Sequence, residues 1–234
     1  MTVVVVTGAS RGIGAEIARA FAKFEKNIKL FLLAQTEQAL LSVTQECQQL
    51  GADARYFVCD VTEPDRVKST AEQILGESGA PTILINNAGL YVPSLFATIS
   101  IDEFKAQIDV NLTSAFLVTR AFLPAMLAQK TGDIFFMCSI ASLNAYGNSV
   151  AYTAAKHGLL GLARALRLET EGKGLRIISI LPGAVKTTSW DGVDVPEERF
   201  IPPSDIANMI IDVHQMDRRT NIDEILVRPQ RGDI

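Results

Sequence analysis

Tyr152 and Lys156 stand four residues apart in a stretch of helical period, Val150 to Glu171, so one helix face carries both side chains. That pairing makes acid–base chemistry available at a phenol. A tyrosine hydroxyl ordinarily titrates near about 10, and bringing it to about 7 takes roughly 4 kcal/mol in favour of the phenolate. A single cation at about 4 Å supplies as much at an effective dielectric of about 20, so Lys156 is the right type of residue in reach. Ser139, thirteen residues before Tyr152, follows an apolar run, Asp133 to Cys138, that reads as a strand. At the end of that strand its hydroxyl can hydrogen-bond an oxygen that gains charge. Proton donor, oxygen-holding hydroxyl and cation together suit the interconversion of a carbonyl and an alcohol, which also needs a hydride donor. Taken singly, a tyrosine at a helix–sheet junction, a solvated lysine and a turn serine are the plainer readings. Their joint occurrence beside a nucleotide loop argues against those.

The nucleotide loop is TGASRGIG, Thr7 to Gly14, which follows an apolar run and leads directly into a helical segment beginning near Gly12. Gly8, Gly12 and Gly14 let the backbone turn tightly and let a pyrophosphate approach the helix N-terminus, where free N–H groups and the helix dipole favour an anion. Ser10, Arg11 and Ile13 lie between them. A glycine-rich strand-to-helix turn without a ligand is the competing reading.

These groups need a scaffold, and the hydrophobic pattern supplies one. Strands are expected at Thr2–Val6, Ile28–Ala34, Ala54–Cys59, Thr82–Asn86, Asp133–Cys138, Arg176–Leu181 and Glu224–Val227. Helices are expected at Gly12–Phe24, Glu37–Leu50, Arg66–Leu75, Phe104–Gln129, Val150–Glu171 and Ser204–Met216. Apolar runs alternating with helical segments predict an α/β fold: a Rossmann-like, doubly wound parallel sheet of about seven strands with helices on both faces. No linker or repeat divides residues 1–234, so a single domain is expected, binding its ligand beyond the carboxyl ends of the strands.

Composition narrows the partners. Hydrophobic residues make up 48% of the 234, enough for a sizeable core. Lys plus Arg number 22 against 26 Asp plus Glu, a net charge of −4 with no basic block, which disfavours nucleic acid. The start, MTVVVVTG, lacks a basic leader, and no apolar run approaches the roughly 20 residues that span a bilayer. No membrane partner and a cytoplasmic location are therefore expected. Cys47, Cys59 and Cys138 lack metal-ligand spacing and read as reduced core thiols, so no metal is expected. His157, about 100° of helical phase from Lys156, and His214 read as structural.

The loop TGASRGIG, CDV at Cys59–Val61, NNAG at Asn86–Gly89, the Ser139/Tyr152-x-x-x-Lys156 set and Pro182–Gly183 together resemble the short-chain dehydrogenase/reductase family, in order and over essentially the whole chain. The resemblance implies that Asp60 and Val61 flank an adenine and that Asn87, Ala88 and Gly89 support the cofactor and the sheet beside it. It also implies that Val185 and Thr187 meet the carboxamide and phosphate, while Asn111, in DVNL, holds a water in a proton relay toward Lys156. Asp60 and Asn86 can equally cap turns, and Asn111 can be a plain polar residue in mid-helix. A homodimer or homotetramer is implied, pairing the helices around Phe104–Gln129 and Val150–Glu171, although Ala154, Ala155 and Gly158 can pack within one subunit instead. Cys138 departs from the serine many members carry there.

The substrate loop should lie at 188–201, and its shortness suggests an open site or a modest substrate. Tyr91, Asn144, Tyr146, Trp190, Asp191 and Asp194 are the side chains expected near a small carbonyl or alcohol substrate, with Trp190 equally suited to loop packing. SWDGVD and the tail GDI look somewhat like bacterial sepiapterin-reductase-like members, in which acidic groups could anchor an aminopterin; diketones and 3-oxoacyl compounds are the other classes. Cofactor choice turns on Ala34, Gln35 and Thr36, none of which repels a 2′-phosphate, and on Arg11, which can pair with one or stand solvated. NADP(H) is therefore expected over NAD(H). A catalytically silent NADP-binding sensor would not need Ser139, Tyr152 and Lys156 together. A methyltransferase using S-adenosylmethionine would want an acid after the second strand.

Overall fold

The computed structural model describes residues 1–234, and seven strands form one parallel sheet in the order β3-β2-β1-β4-β5-β6-β7. They are β1 (Thr2–Thr7), β2 (Ile28–Ala34), β3 (Asp53–Val58), β4 (Ile83–Asn86), β5 (Gly132–Met137), β6 (Leu175–Pro182) and β7 (Glu224–Val227). The order reverses between β1 and β4, which opens a crevice beyond their carboxyl ends.

The strand sequences explain the layering. Val3 to Val6 are all buried because alternate side chains face opposite sides of a covered sheet. Val4 and Val6 join Leu30, Leu32, Phe135 and Ile178 on the face covered by α1 (Gly12–Phe24), α2 (Glu37–Gln49) and α7 (Pro203–Gln215). Val3 and Val5 join Phe31, Leu84, Phe136 and Ile177 on the other. There the cover is α3 (Pro64–Ser78), α5 (Ser114–Gln129) and α6 (Val150–Thr170). Truncating Phe135, fully buried between these layers, to Ala would cost about 3–5 kcal/mol.

One expected element is divided. In place of a continuous α-helix from Phe104, α4 (Ile101–Ile108) passes through a π turn at Asp109–Thr113 into α5. Ser114 donates its hydroxyl to the Val110 carbonyl at 2.7 Å, and the Asn111 amide donates to the Gln107 carbonyl at 3.0 Å. Side chains thus take carbonyls in the widened turn, a feature with no signature in hydrophobic period. The 29-residue stretch Ile101–Gln129 is long and apolar enough by length and composition to cross a membrane, contrary to the expectation that no segment would be. Its buried residues Ala115, Val118, Phe122 and Met126 belong to the core beneath the sheet.

At the opposite end of the sheet from the crevice, the Asp133 carboxylate is fully buried and takes paired bonds from Arg176 at 2.7 and 2.8 Å. His214 Nδ1 lies 2.7 Å from it, and Arg218 donates to it as well as to the Gly132 and Gly174 carbonyls. Burial alone would raise Asp133, but the Arg176 and His214 bonds outweigh it and hold the carboxyl at about 2. His214 is structural, as expected.

Candidate active site

Strand β1 delivers Thr7 and Gly8 to the switch point, and the loop turns into α1 through Gly8 and Gly12, both at positive φ (64° and 56°). The turn is braced from β4. Asn87 Nδ2 donates to the Thr7 carbonyl at 3.0 Å and to that of Gly8 at 3.3 Å, while the Thr7 hydroxyl accepts from the N–H groups of Asn87 and Ala88 at 3.0 Å. A Cβ on Gly14 would stand 2.3 Å from the Gly8 carbonyl oxygen and 2.5 Å from Asn87 Nδ2, so no larger residue fits. Thr7 was not singled out by the sequence; its only signal is its position at the last residue of the strand.

The start of α1 suits an anion. Its N-cap, Arg11, makes no side-chain cap bond, no acidic residue occupies the first turn, and the opening N–H groups therefore have no carboxylate competing for them. Thr187 closes the other side: its methyl would lie 3.3 Å from a Cβ on Gly12. Loop, open helix end and Thr187 form a cradle of the kind a dinucleotide pyrophosphate needs, so these residues fit the cofactor that the sequence implies.

Strand β5 and helix α6 bring the acid–base set together. Ser139, directly after β5, starts a 3₁₀ turn at Ile140–Ser142; its hydroxyl accepts from Ala141 N–H at 3.1 Å, leaving its proton free to donate. Lys156 is buried and donates to the Met137 carbonyl at 2.8 Å, with its ammonium 5.6 Å from the centre of the Tyr152 ring. Burial pushes Lys156 down to about 8. Burial also pushes the Tyr152 hydroxyl above its ordinary value, with the Ser139 hydroxyl acting the other way. Among the protein's own groups, Lys156 does not lower the Tyr152 hydroxyl. The cation is directed at a main-chain carbonyl, and desolvation of the phenol prevails.

Asn111 lies beneath these groups: the position of a Cβ on Gly89 is 2.9 Å from its Oδ1 and 3.5 Å from Lys156 Nζ. Its amide donates to the Leu90 and Gln107 carbonyls and accepts from Leu90 N–H, so both of its donors are taken by the protein.

The sequence profile described as short chain dehydrogenase matches residues 2–197. The chain belongs to the short-chain dehydrogenase family. It is 31% identical over 238 residues to a sepiapterin reductase of Chlorobaculum tepidum, covering 99% of this chain and 98% of that one. It is 32% identical over 185 residues to a 3-oxoacyl-acyl-carrier-protein reductase of Escherichia coli, covering 79% and 74%. Among solved structures, an alcohol dehydrogenase from the archaeon Thermococcus sibiricus, complexed with 5-hydroxy-NADP, superposes with a TM-score of 0.92 at 27% identity, covering 100% and 99%. A metagenomic short-chain oxidoreductase in complex with NADP gives 0.87 at 34%, covering 98% and 97%. This short-chain dehydrogenase is an NAD(P)-dependent oxidoreductase acting on CH–OH and C=O groups. The reading as a catalytically silent sensor finds no support in these relatives.

The remaining expected residues divide by what they touch. Asp60 accepts from the Thr62 N–H and hydroxyl at 2.9 and 2.7 Å; burial would raise its carboxyl, but the Thr62 and Gln35 groups lower it. Val61 and Val185 are core side chains, so each can serve a ligand only through its main chain. Gly183, after Pro182, is bonded through its N–H to the Val227 carbonyl at 2.7 Å. Ser10 and Ile13 are partly buried at the loop, and Arg11 and Gln35 are exposed.

The substrate loop contains two 3₁₀ turns, Thr188–Trp190 and Glu197–Arg199. Trp190 packs on Phe200 with ring centres 5.0 Å apart, the contact that loop packing requires. Asp191 and Asp194 are exposed, as are Asn144 and Tyr146. The tail folds back on this region: Asp233 pairs with Arg228, and its main-chain carbonyl accepts from Arg199 at 3.3 Å. Burial first, and then the Asp233 charge, raise the Tyr146 hydroxyl. Within the subunit, Gly158 packs against Leu112, where a Cβ would come within 2.8 Å. All three cysteines are free and buried, and no cluster of three or more metal-ligating side chains occurs.

Proposed function

We propose that this short-chain dehydrogenase is an NADP(H)-preferring carbonyl reductase in which Ser139, Tyr152 and Lys156 carry the acid–base chemistry. The convergence of these three side chains beside the glycine-loop cradle is the observation that supports it. Gly8, Ser10, Arg11, Gly12, Ile13 and Gly14 would hold the pyrophosphate and phosphate end, and Thr187 with the main chain of Val185 the nicotinamide end. When bound, the reduced cofactor supplies a hydride to the carbonyl carbon.

The protein's own groups then act on the oxygen. Ser139 donates a hydrogen bond to it, its oxygen being oriented by the Ala141 N–H and its proton remaining available. Tyr152, held protonated at neutral pH by its buried setting, is a proton donor, the form that reduction needs. Lys156 places a partly titrating cation at about 8 between the Met137 carbonyl and the phenol ring, where it can replace the lost proton. Asn111, whose side-chain amide is fully engaged by Leu90 and Gln107, can join that route only through its main chain.

Three observations favour NADP(H): two structural neighbours are complexes with NADP or its derivative, Gln35 is neutral, and exposed Arg11 forms no ion pair. The chain acts as one dinucleotide-binding and catalytic unit in the cytoplasm, with 188–201 as its substrate loop. Exposed Ile101, Phe116 and Leu168 on α4, α5 and α6 are consistent with a homodimer or homotetramer built on those helices. The substrate is a modest carbonyl compound: a pterin, a diketone or a 3-oxoacyl compound. A panel of these with NADPH, followed by loss of NADPH absorbance, tests the reading. Turnover of at least one class is expected, whereas tight NADPH binding with no turnover of any would contradict it.

A further inference from the structure

The segment between Gly89 and α4 is fastened at two points to the helix beneath it. Asn111 closes a two-way bond with Leu90, accepting from its N–H at 3.1 Å and donating to its carbonyl at 2.7 Å. Gln107, one helical turn earlier, accepts from Val92 N–H at 3.3 Å. Both polar side chains are buried, at 1% and 3% exposure, where an unpaired amide is costly, so their partners are well determined. The residue held between the two fastenings is Tyr91. Its ring stands edge-to-face with that of Tyr152, centres 5.2 Å apart and planes at 77°. Such an aromatic contact is favourable beyond the area it covers, so each ring restricts the other.

We infer that Tyr91 is a positioning residue for Tyr152, and that Asn111 and Gln107 act through Leu90 and Val92 to hold it in place. This rests on the proposed role of Tyr152 as proton donor. Tyr91 fixes the tilt of the phenol that must meet the substrate oxygen and keeps water from one side of it. The other groups facing Tyr152 are Ser139, which holds its hydroxyl, Cys138 after β5 and Lys156 on its own helix; the aromatic contact with the ring comes from Tyr91. Burial is the main influence raising the Tyr152 hydroxyl, so removing a ring that covers it should let that value fall. Tyr91 is 45% exposed and its hydroxyl makes no bond within the protein, so its loss should not endanger folding.

The test compares Tyr91→Ala, Tyr91→Phe and Tyr152→Phe with the wild type, using NADPH and whichever carbonyl substrate is turned over. Tyr91→Ala should lower kcat by about tenfold while leaving the NADPH Kd unchanged. It should also move the alkaline limb of the kcat profile to lower pH, and Tyr91→Phe should restore both. Gln107→Ala, which loosens the fastening without touching the ring pair, should reproduce part of the kcat loss. A wild-type kcat and pH profile in Tyr91→Ala, with Tyr152→Phe inactive, would overturn the inference and leave the proposed function standing. An active Tyr152→Phe would overturn the proposed function itself.

Discussion

Lys156 points its ammonium at the Met137 carbonyl, 2.8 Å away, and stands 5.6 Å from the centre of the Tyr152 ring it accompanies on α6. A buried cation with one carbonyl partner is an expensive arrangement, and its depressed value of about 8 expresses that cost. The folded protein binds fewer protons there than the unfolded chain between about 8 and the usual lysine value, so stability at this site rises with pH across that window. Lys156→Met keeps the bulk and removes the charge. It should stabilise the fold by about 2 kcal/mol at pH 7, after the lost hydrogen bond is counted, while turnover and NADPH affinity fall. Thermal unfolding of both proteins at pH 7 and pH 10 checks this, with the difference shrinking at the higher pH.

Asp133 provides the opposite case. Its carboxyl is held at about 2, below its unfolded value, so its contribution is present above about 4 and is lost as pH falls through 2. Asp133→Asn leaves the buried Arg176 guanidinium, 5% exposed, without its counter-charge and should destabilise by about 3–5 kcal/mol at neutral pH. Urea midpoints at pH 7 and pH 3 measure it: the deficit of the variant should narrow on acidification.

Arg11 caps α1 without bonding to it and has no carboxylate partner, so its guanidinium is available to a 2′-phosphate. Arg11→Ala should weaken NADPH binding by about tenfold and leave NADH nearly unchanged. Titration of both proteins with both cofactors by nicotinamide fluorescence reads the ratio directly. Equal wild-type affinities, or a preference that survives in the variant, would remove Arg11 from the site.

Most of the scaffold was legible because the strands are buried on both faces, so runs such as Val3–Val6 and Leu30–Leu33 stand out as apolar blocks between helical periods. The convergence of Ser139, Tyr152 and Lys156 was legible for a different reason: Tyr152 and Lys156 are local neighbours on one helix, and Ser139 follows a strand end. What the sequence left hidden depends on contacts between distant segments. The π turn at Asp109–Thr113 is accompanied by Ser114 and Asn111 taking carbonyls, and the glycine loop is braced by Asn87 and Thr7, 80 residues apart. Trp190 offers equal reasons for facing a ligand or the loop, and its packing on Phe200 is visible only in the fold. A four-residue spacing fixes the helix face but not where the lysine nitrogen points, so the bond from Lys156 to the Met137 carbonyl had no signal in the sequence.

The central claim is that the Tyr152 hydroxyl delivers the proton to the substrate oxygen. The most direct measurement is single-turnover oxidation of NADPH by Tyr152→Phe, alongside the NADPH Kd of the same variant. Retained NADPH affinity and folding, with turnover reduced about 10²–10⁴-fold at every pH from 6 to 9, is the expected result. Near-normal turnover in that variant would contradict the assignment.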